Sequence, residues 1–317
     1  MIGLLRAELL RAWSRRVVRV LAIGVIVGIV VSMGIATFNG LRDSADARYQ
    51  RTLEACLRGE FTPADSLPPR YHGSLAAYCP DHVRRGDFAG AQIRWADLPD
   101  GIASGTSSII VLLGVLIGAT LAGADWTAGT MGTLLTWEPR RTRVHLVRLL
   151  VAVAVVLVFT IGAQVFLVLA YRVAVAIAGT TDGTPPGIVG HLAGIISRVA
   201  AIAAVFAIVA HAVATLGRST VAAVGILFGY LVVVEGFVAG LWRAIQPRLL
   251  IRAAEVAISQ QPLLDQGVTA VRGPNGAIVG QFQSVVLSVS GAWVVLGVWV
   301  VVLSAVALLA FRARDVS

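Results

Sequence analysis

Long apolar runs broken by short polar stretches dominate this chain. Six of them, at about 17–38, 102–123, 147–171, 191–215, 220–241 and 284–311, are long enough to cross a hydrocarbon core of roughly 30 Å as helices. An even number of spans places both termini on one side. The first apolar stretch, Val20 to Phe38, exceeds the about 7–15 residues of a secretory signal, so it is read as a retained span. Ahead of it, Ile2, Leu5, Leu9 and Trp13 share one helical face and Glu8, Arg11 and Arg15 the other, with Arg6 intruding on the apolar side. Residues 1–19 therefore read either as an interfacial helix lying under the membrane or as a plain basic flank of the first span. Small residues four apart recur within spans, as in Gly24/Gly28, Gly114/Gly118, Gly225/Gly229 and Gly236/Gly240, and such pairs let helices approach closely.

Two polar segments face away from the termini. The 39–101 loop carries both cysteines, Cys56 and Cys79, on the oxidising side of the membrane. A disulfide closing a small helical cap is the expectation there, against free thiols or a Cys/His site with His72 or His82, whose spacing matches no zinc pattern. No metal site is expected. Within the external 242–283 segment, "WRAIQPRLLIRAAEVAISQQP" reads as an amphipathic helix punctuated by proline at the outer interface, and the segment as dipping partly into the membrane.

Composition sharpens this picture. With 57% hydrophobic residues, 14% charged and a mean hydropathy of +0.83, the 317-residue chain is expected to be an all-α integral membrane protein, one transmembrane domain over 1–317. The net charge of +9 is carried by arginines beside the spans. Arg6, Arg11, Arg15, Arg16, Arg19, Arg140, Arg141, Arg143, Arg148, Arg218, Arg312 and Arg314 fall on one side. They outnumber Arg172, Arg243, Arg248, Arg252 and Arg272 opposite. The richer side is read as cytoplasmic and the membrane as the plasma (inner) membrane, with anionic lipids as partners of the basic rim. A nucleic-acid reading would need a soluble basic domain, and none is present.

The stretch Gly123–Leu150, "GADWTAGTMGTLLTWEPRRTRVHLVRLL", interrupts the apolar pattern between the second and third runs. If Asp125–Trp137 is one short helix, Trp126, Met131, Leu134, Leu135 and Trp137 make an apolar half, and Asp125, Gly129, Gly132, Thr133 and Thr136 a small polar half. Two glycines cost such a helix roughly 1 kcal/mol each, so it needs something to dock against. Pro139 disfavours helix at Glu138 and suits the start of the next one, which places a turn there. Arg140, Arg141, Arg143 and Arg148 then crowd a helix start against its dipole, which anionic headgroups or an acidic partner would explain. An ordinary cytoplasmic loop with retention charges is the plainer alternative.

These residues also carry a resemblance. Asp125-Trp126-x-x-Gly129-Thr130, then Leu134-Leu135-Thr136, Pro139 and the arginines Arg140 and Arg141, resembles the loop between the second and third spans of permeases of the type 2 ATP-binding-cassette (ABC) transporter family, in the flavour of actinobacterial members. Asp125 stands where glutamate is commoner in that family, and the 39–101 loop is longer than in many of its members. The resemblance implies the type 2 ABC exporter transmembrane fold: six spans, an N-terminal interfacial helix, a cytoplasmic coupling helix in the 124–146 loop and an external re-entrant region. It implies that Asp125, Trp126, Gly129, Thr130, Leu134, Leu135, Pro139, Arg140 and Arg141 contact a cytoplasmic ATPase, present in two copies. It further implies a second permease subunit, identical or related, and an exported amphipathic or hydrophobic substrate such as a drug, a lipid-like molecule or a peptide. No segment looks made to receive a solute-binding protein, which agrees with export.

The chain contains no lysine, so the phosphate-binding lysine of a P-loop ATPase cannot come from it. ATP and magnesium would sit on the partner, and this chain is expected to bind no cofactor and to be no enzyme. No Ser/His/Asp set, His-Glu-x-x-His or membrane-embedded aspartate pair suggests catalysis. His191 and His211 in one span lie roughly 30 Å apart, too far to share a metal within one subunit. A non-transporting membrane subunit of a sensing or assembly complex is the alternative function, and an intramembrane enzyme a third. Inside the spans, Arg198 and Glu235 lie about 19 and about 17 residues from the turn near Gly217 and Arg218, a mismatch of roughly 3 Å in height. They are expected either to pair or to snorkel separately, Glu235 with Arg243 or Arg172 for instance.

Overall fold

The computed structural model describes residues 2–42, 45–60, 75–84, 93–101, 105–272 and 278–313; Arg314 and His72, singled out above, lie outside the described residues. Six helices are long and apolar enough to cross a membrane. They are Arg16–Arg42, Ser107–Thr127, Arg141–Ala178, Ile188–Gly217, Thr220–Leu241 and Val289–Ala313, the first to sixth spans. This is a multi-pass, predominantly α-helical membrane protein. The first, third and fourth helices outrun their apolar runs, because a backbone in hydrocarbon must keep its hydrogen bonds internal and a helix can continue past the apolar stretch into the headgroups.

The chain divides into two compact units: Met1–Ile23 with Asp100–Gln164 and Val189–Ser317, and Gly24–Pro99 with Val165–Ile188. In the first, the second span packs on the fourth and fifth through small residues. Ala119, Ala122, Ala210, Val213, Ala214 and Ala223 form a buried cluster there. A Cβ on Gly118 would abut the Ala207 carbonyl oxygen and lie 2.8 Å from its Cα, and one on Gly114 would lie 3.0 Å from the Ala203 oxygen. Gly123 meets the turn at Ser219 and Thr220 in the same way. Of the paired glycines noted in the sequence, Gly114/Gly118 is thus an intramolecular contact, whereas Gly24 and Gly28 have nothing within 4 Å of a Cβ position. Gly118→Ala should destabilise the protein by about 1–3 kcal/mol, since backbone cannot yield as a side chain would. Gly28→Ala should be neutral. Equal thermal midpoints for the two variants in lipid nanodiscs would contradict this packing.

The N-terminal helix, Ile2–Ser14, is separate from the first span, the break falling at Arg15. It docks by its polar face: Glu8 and Ala12 are buried, while Leu5, Leu10 and Trp13 point outward. In water that orientation would be upside down. Against lipid it is what an interfacial helix requires.

The 242–283 segment keeps a proline-punctuated amphipathic helix in its first half and adds a hairpin in its second. A 3₁₀ stretch, Arg243–Arg248, leads into a short helix, Leu250–Ser259, whose Leu250, Ala253, Val256 and Ala257 are buried. Then come two antiparallel strands, Leu263–Arg272 and Ile278–Leu287, with Arg272 opposite Ile278. The sixth span consequently starts at Val289 rather than near 284. Gly273-Pro274-Asn275-Gly276 between two runs rich in β-branched residues is the sequence signal for this hairpin, overlooked because the helical period just before it dominates.

In the second unit, Ala45–Leu57 and Leu75–His82 form two helices joined by the Cys56–Cys79 disulfide, both sulfurs fully enclosed with Tyr78 and Val83. The disulfide matches the expectation. Ile93–Arg94 pairs in parallel with Gly179–Thr180, and the Tyr171 hydroxyl donates to the Arg94 carbonyl oxygen at 2.9 Å, which ties the end of the loop to the end of the third span.

Candidate functional site

The 124–146 loop is built differently from a single Asp125–Trp137 helix. The second span continues to Thr127, so Asp125 and Trp126 belong to its last turn. Gly129 then takes a left-handed conformation, φ 68°, which an L side chain adopts only with strain. That glycine lets the chain fold back into a short helix, Thr130–Trp137, and the Thr130 hydroxyl donates to the Asp125 carbonyl oxygen at 3.4 Å. Glu138 is extended, as the residue before Pro139 should be, and the third span begins at Arg141.

Beneath this turn lies a buried charge cluster. Asp125 is only 8% exposed, and each of its oxygens meets a different arginine. Arg15, at the break after the N-terminal helix, donates to Oδ1 at 2.8 Å and to the Thr120 carbonyl oxygen at 2.8 Å. Arg148 of the third span donates to Oδ2 and, at 2.8 Å, to the Leu121 carbonyl oxygen. The Arg148 guanidinium also faces the Met131 sulfur at 3.5 Å and lies 4.0 Å from Glu8. Glu8 in turn accepts from Arg11 at 2.9 Å. Two carboxylates and two arginines are thereby enclosed together in balance, with Arg11 at the rim. The partners come from four places: the N-terminal helix, the end of the second span, the short helix and the third span. The same two arginines also donate to the Thr120 and Leu121 carbonyl oxygens on the last turns of the second span, as second, charge-assisted bonds.

This arrangement corrects part of the expected partner contact. Asp125 is not on the surface and cannot meet another protein without dismantling the cluster. Trp126 is half-buried, edge-on to Phe311 at 6.0 Å and under Arg218 at 5.1 Å. Leu134 and Leu135 are half-buried, and Met131 is buried. The exposed face of the loop is Gly129, Thr130, Thr133, Thr136, Trp137, Pro139 and Arg140, with Trp137 86% exposed. Arg141 reaches the Arg312 carbonyl oxygen at 3.4 Å, and Arg143 pairs with Glu138 at 3.1 Å.

Arg198 and Glu235 are not brought together. No ion pair joins them among the described residues; Glu235 accepts instead from the Tyr230 hydroxyl and the Ile251 N–H. The tight turn at Arg218 is present, but Tyr230–Val238 is a π-helix. Its wider turn rotates Glu235 away from the face that counting along an α-helix would give it. Sequence reasoning also missed Arg15 and Arg148 as partners of Asp125, Glu8 beside Arg148, and His145 beside His211 at 5.4 Å between rings. Nothing in one sequence says which faces of which spans meet. No group of three or more potential metal ligands occurs among the described residues. No protein-family model, no curated protein and no solved structure matches the chain.

Proposed function

We propose that this chain is the transmembrane permease subunit of an ATP-driven exporter of the type 2 ABC kind. It works with a separate cytoplasmic ATPase in two copies and with a second permease subunit, identical or related. The observation that carries the reading is the short helix Thr130–Trp137, folded back at Gly129 between two spans and fastened from beneath by the Asp125 cluster. An ordinary connecting loop needs no such foundation, whereas an element that receives a push must be rigidly joined to the spans it moves. The exposed surface is small and polar, set off by Trp137 and Arg140: a large anchor and a charge, the usual makings of a protein contact. The N-terminal helix shares the cluster through Glu8 and Arg15, so a displacement of the short helix would be felt there as well. On this reading both termini are cytoplasmic, the membrane is the plasma membrane, and ATP with magnesium sits on the partner.

The test uses the tagged chain in lipid nanodiscs with its cognate ATPase. Trp137→Ala and Arg140→Glu, both on the exposed face, are expected to reduce copurification of the ATPase or to uncouple its turnover from substrate movement by at least about tenfold, a loss of roughly 1.4 kcal/mol in contact energy. An ATPase that binds and turns over equally with the parent and both variants would refute the contact. Failure of any ATPase to depend on the chain would refute the function.

A further inference from the structure

Glu235 lies in the fifth span, away from the charge cluster, and is only 8% exposed. Its Oε1 accepts from the Tyr230 hydroxyl at 2.9 Å and from the Ile251 N–H at 2.7 Å, and Tyr230 in turn accepts from the Leu250 N–H at 3.2 Å. Both amides open the Leu250–Ser259 helix. One carboxylate oxygen therefore fastens the outer helix to the fifth span. The other, Oε2, is enclosed and has no donor among the described residues.

A buried carboxylate oxygen without a partner calls for a cation, and the protein does not supply one among its described residues. Arg198 makes no ion pair with it. Arg248 donates to the Ala244 carbonyl oxygen at 3.0 Å, and Arg252 pairs with Glu255 at 2.9 Å. What stands beside Glu235 is aromatic. The Tyr230 ring meets Trp299 of the sixth span at 5.6 Å, and the Trp299 indole N–H is committed to the Arg248 carbonyl oxygen at 3.1 Å, which holds that ring in place. Both rings are half-buried, so part of each is open to an approaching molecule, and the Tyr230 ring is joined to Glu235 through its hydroxyl. A lone carboxylate lacks the ligand set of a metal site, and no metal-ligand cluster includes it. A carboxylate oxygen beside a pair of aromatic rings is the chemistry that recognises an organic cation. The π-helix that carries Tyr230 and Glu235 departs from α-geometry over the same residues, a feature that recurs at functional sites.

We propose that Glu235 Oε2, with Tyr230 and Trp299, is a binding site for a lipophilic organic cation. The proposal names the substrate class of the permease and rests on the transport reading for that role, though not for binding itself.

The experiment measures binding of rhodamine 6G, a lipophilic cation, and Nile red, a neutral dye, by fluorescence anisotropy. It uses the purified full chain in phosphatidylcholine nanodiscs, where no anionic lipid competes. The parent should bind rhodamine 6G saturably. Glu235→Gln should weaken that binding at least tenfold and change Nile red binding less than twofold. The glutamine carbonyl can still accept from Tyr230 and Ile251, so the thermal midpoint should hold within a few degrees. Trp299→Leu, which leaves the carboxylate and its donors untouched, should weaken rhodamine 6G severalfold and keeps the test decisive should Glu235→Gln misfold. Absence of saturable rhodamine 6G binding by the parent, unchanged binding by either folded variant, or an equal loss of both dyes would overturn the proposal. No ATPase is present in this assay, so its outcome is independent of whether the chain couples to one.

Discussion

Arg148→Met is expected to destabilise the protein by about 3–5 kcal/mol, the largest effect of any single substitution considered, although methionine roughly fills the same space. The substitution leaves the second oxygen of Asp125 without its arginine donor in a site closed to water. Breaking a buried pair from one side costs far more than the pair contributes, because the orphaned charge keeps its full desolvation penalty. Removing both partners should cost less than the sum. In the Asp125→Leu/Arg148→Met double variant, Arg15 keeps the Thr120 carbonyl oxygen and Glu8 keeps Arg11, so the remaining charges still have partners. The cycle should give a coupling energy of at least about 0.5 kcal/mol, and as much as about 3 kcal/mol. Thermal unfolding of the four proteins in one lipid composition measures it. Strictly additive losses would show that Asp125 and Arg148 do not act as a unit.

Such a cluster also bears on coupling. The short helix touches the spans through Met131 on the Arg148 guanidinium and through the Gly129 turn above Asp125, and the N-terminal helix touches the same two charges. Under the permease reading, a load on the exposed face has no soft element to deform before it reaches the second and third spans. The polar face of the N-terminal helix is then spoken for by protein, and its Leu5, Leu10 and Trp13 are left for lipid.

What the sequence makes legible here follows from period and length. A run of about 20 apolar residues has one outcome in a membrane, so all six spans can be read directly, and only their ends move. Cys56 and Cys79 can be paired because one loop holds just those two thiols. The break at Gly129 is half legible: Gly-Thr after a long helix is a helix stop, but two glycines within an amphipathic stretch also read as a weak single helix. Contacts between elements are another matter. Glu8, Arg15, Asp125 and Arg148 look like three separate flanking charges and a motif residue until the fold closes them on one another. Glu235 is visible as an intramembrane acid, and a height count places it beside Arg198. The π-turn at Tyr230–Val238 then redirects it to Tyr230 and Ile251 instead, a local departure from 3.6 residues per turn that composition does not announce.

The Cys56–Cys79 bridge should matter almost as much locally as Arg148 does for the whole. It closes a loop with a sequence separation of 23, for which the chain-entropy account gives about 3 kcal/mol. Among the described residues the apolar core shared by the two helices it joins is small: Tyr78 and Val83 are buried with the sulfurs, and Tyr49, Leu53 and Leu75 pack only partly against them. A core that small does not persist on apolar burial alone, which is why elements of this size need a covalent link. Cys56→Ala/Cys79→Ala should therefore raise the population of the opened loop, and with it the rate of limited proteolysis within 45–84, by about a hundredfold where opening is fast relative to cleavage. The spans should be unaffected, because neither the Asp125 cluster nor the short helix involves this loop. Mass spectrometry of unreduced, alkylated protein from an oxidising compartment checks the premise first: two alkylated thiols would remove it. A proteolysis rate equal to the parent's would show that the helices stand without the bridge.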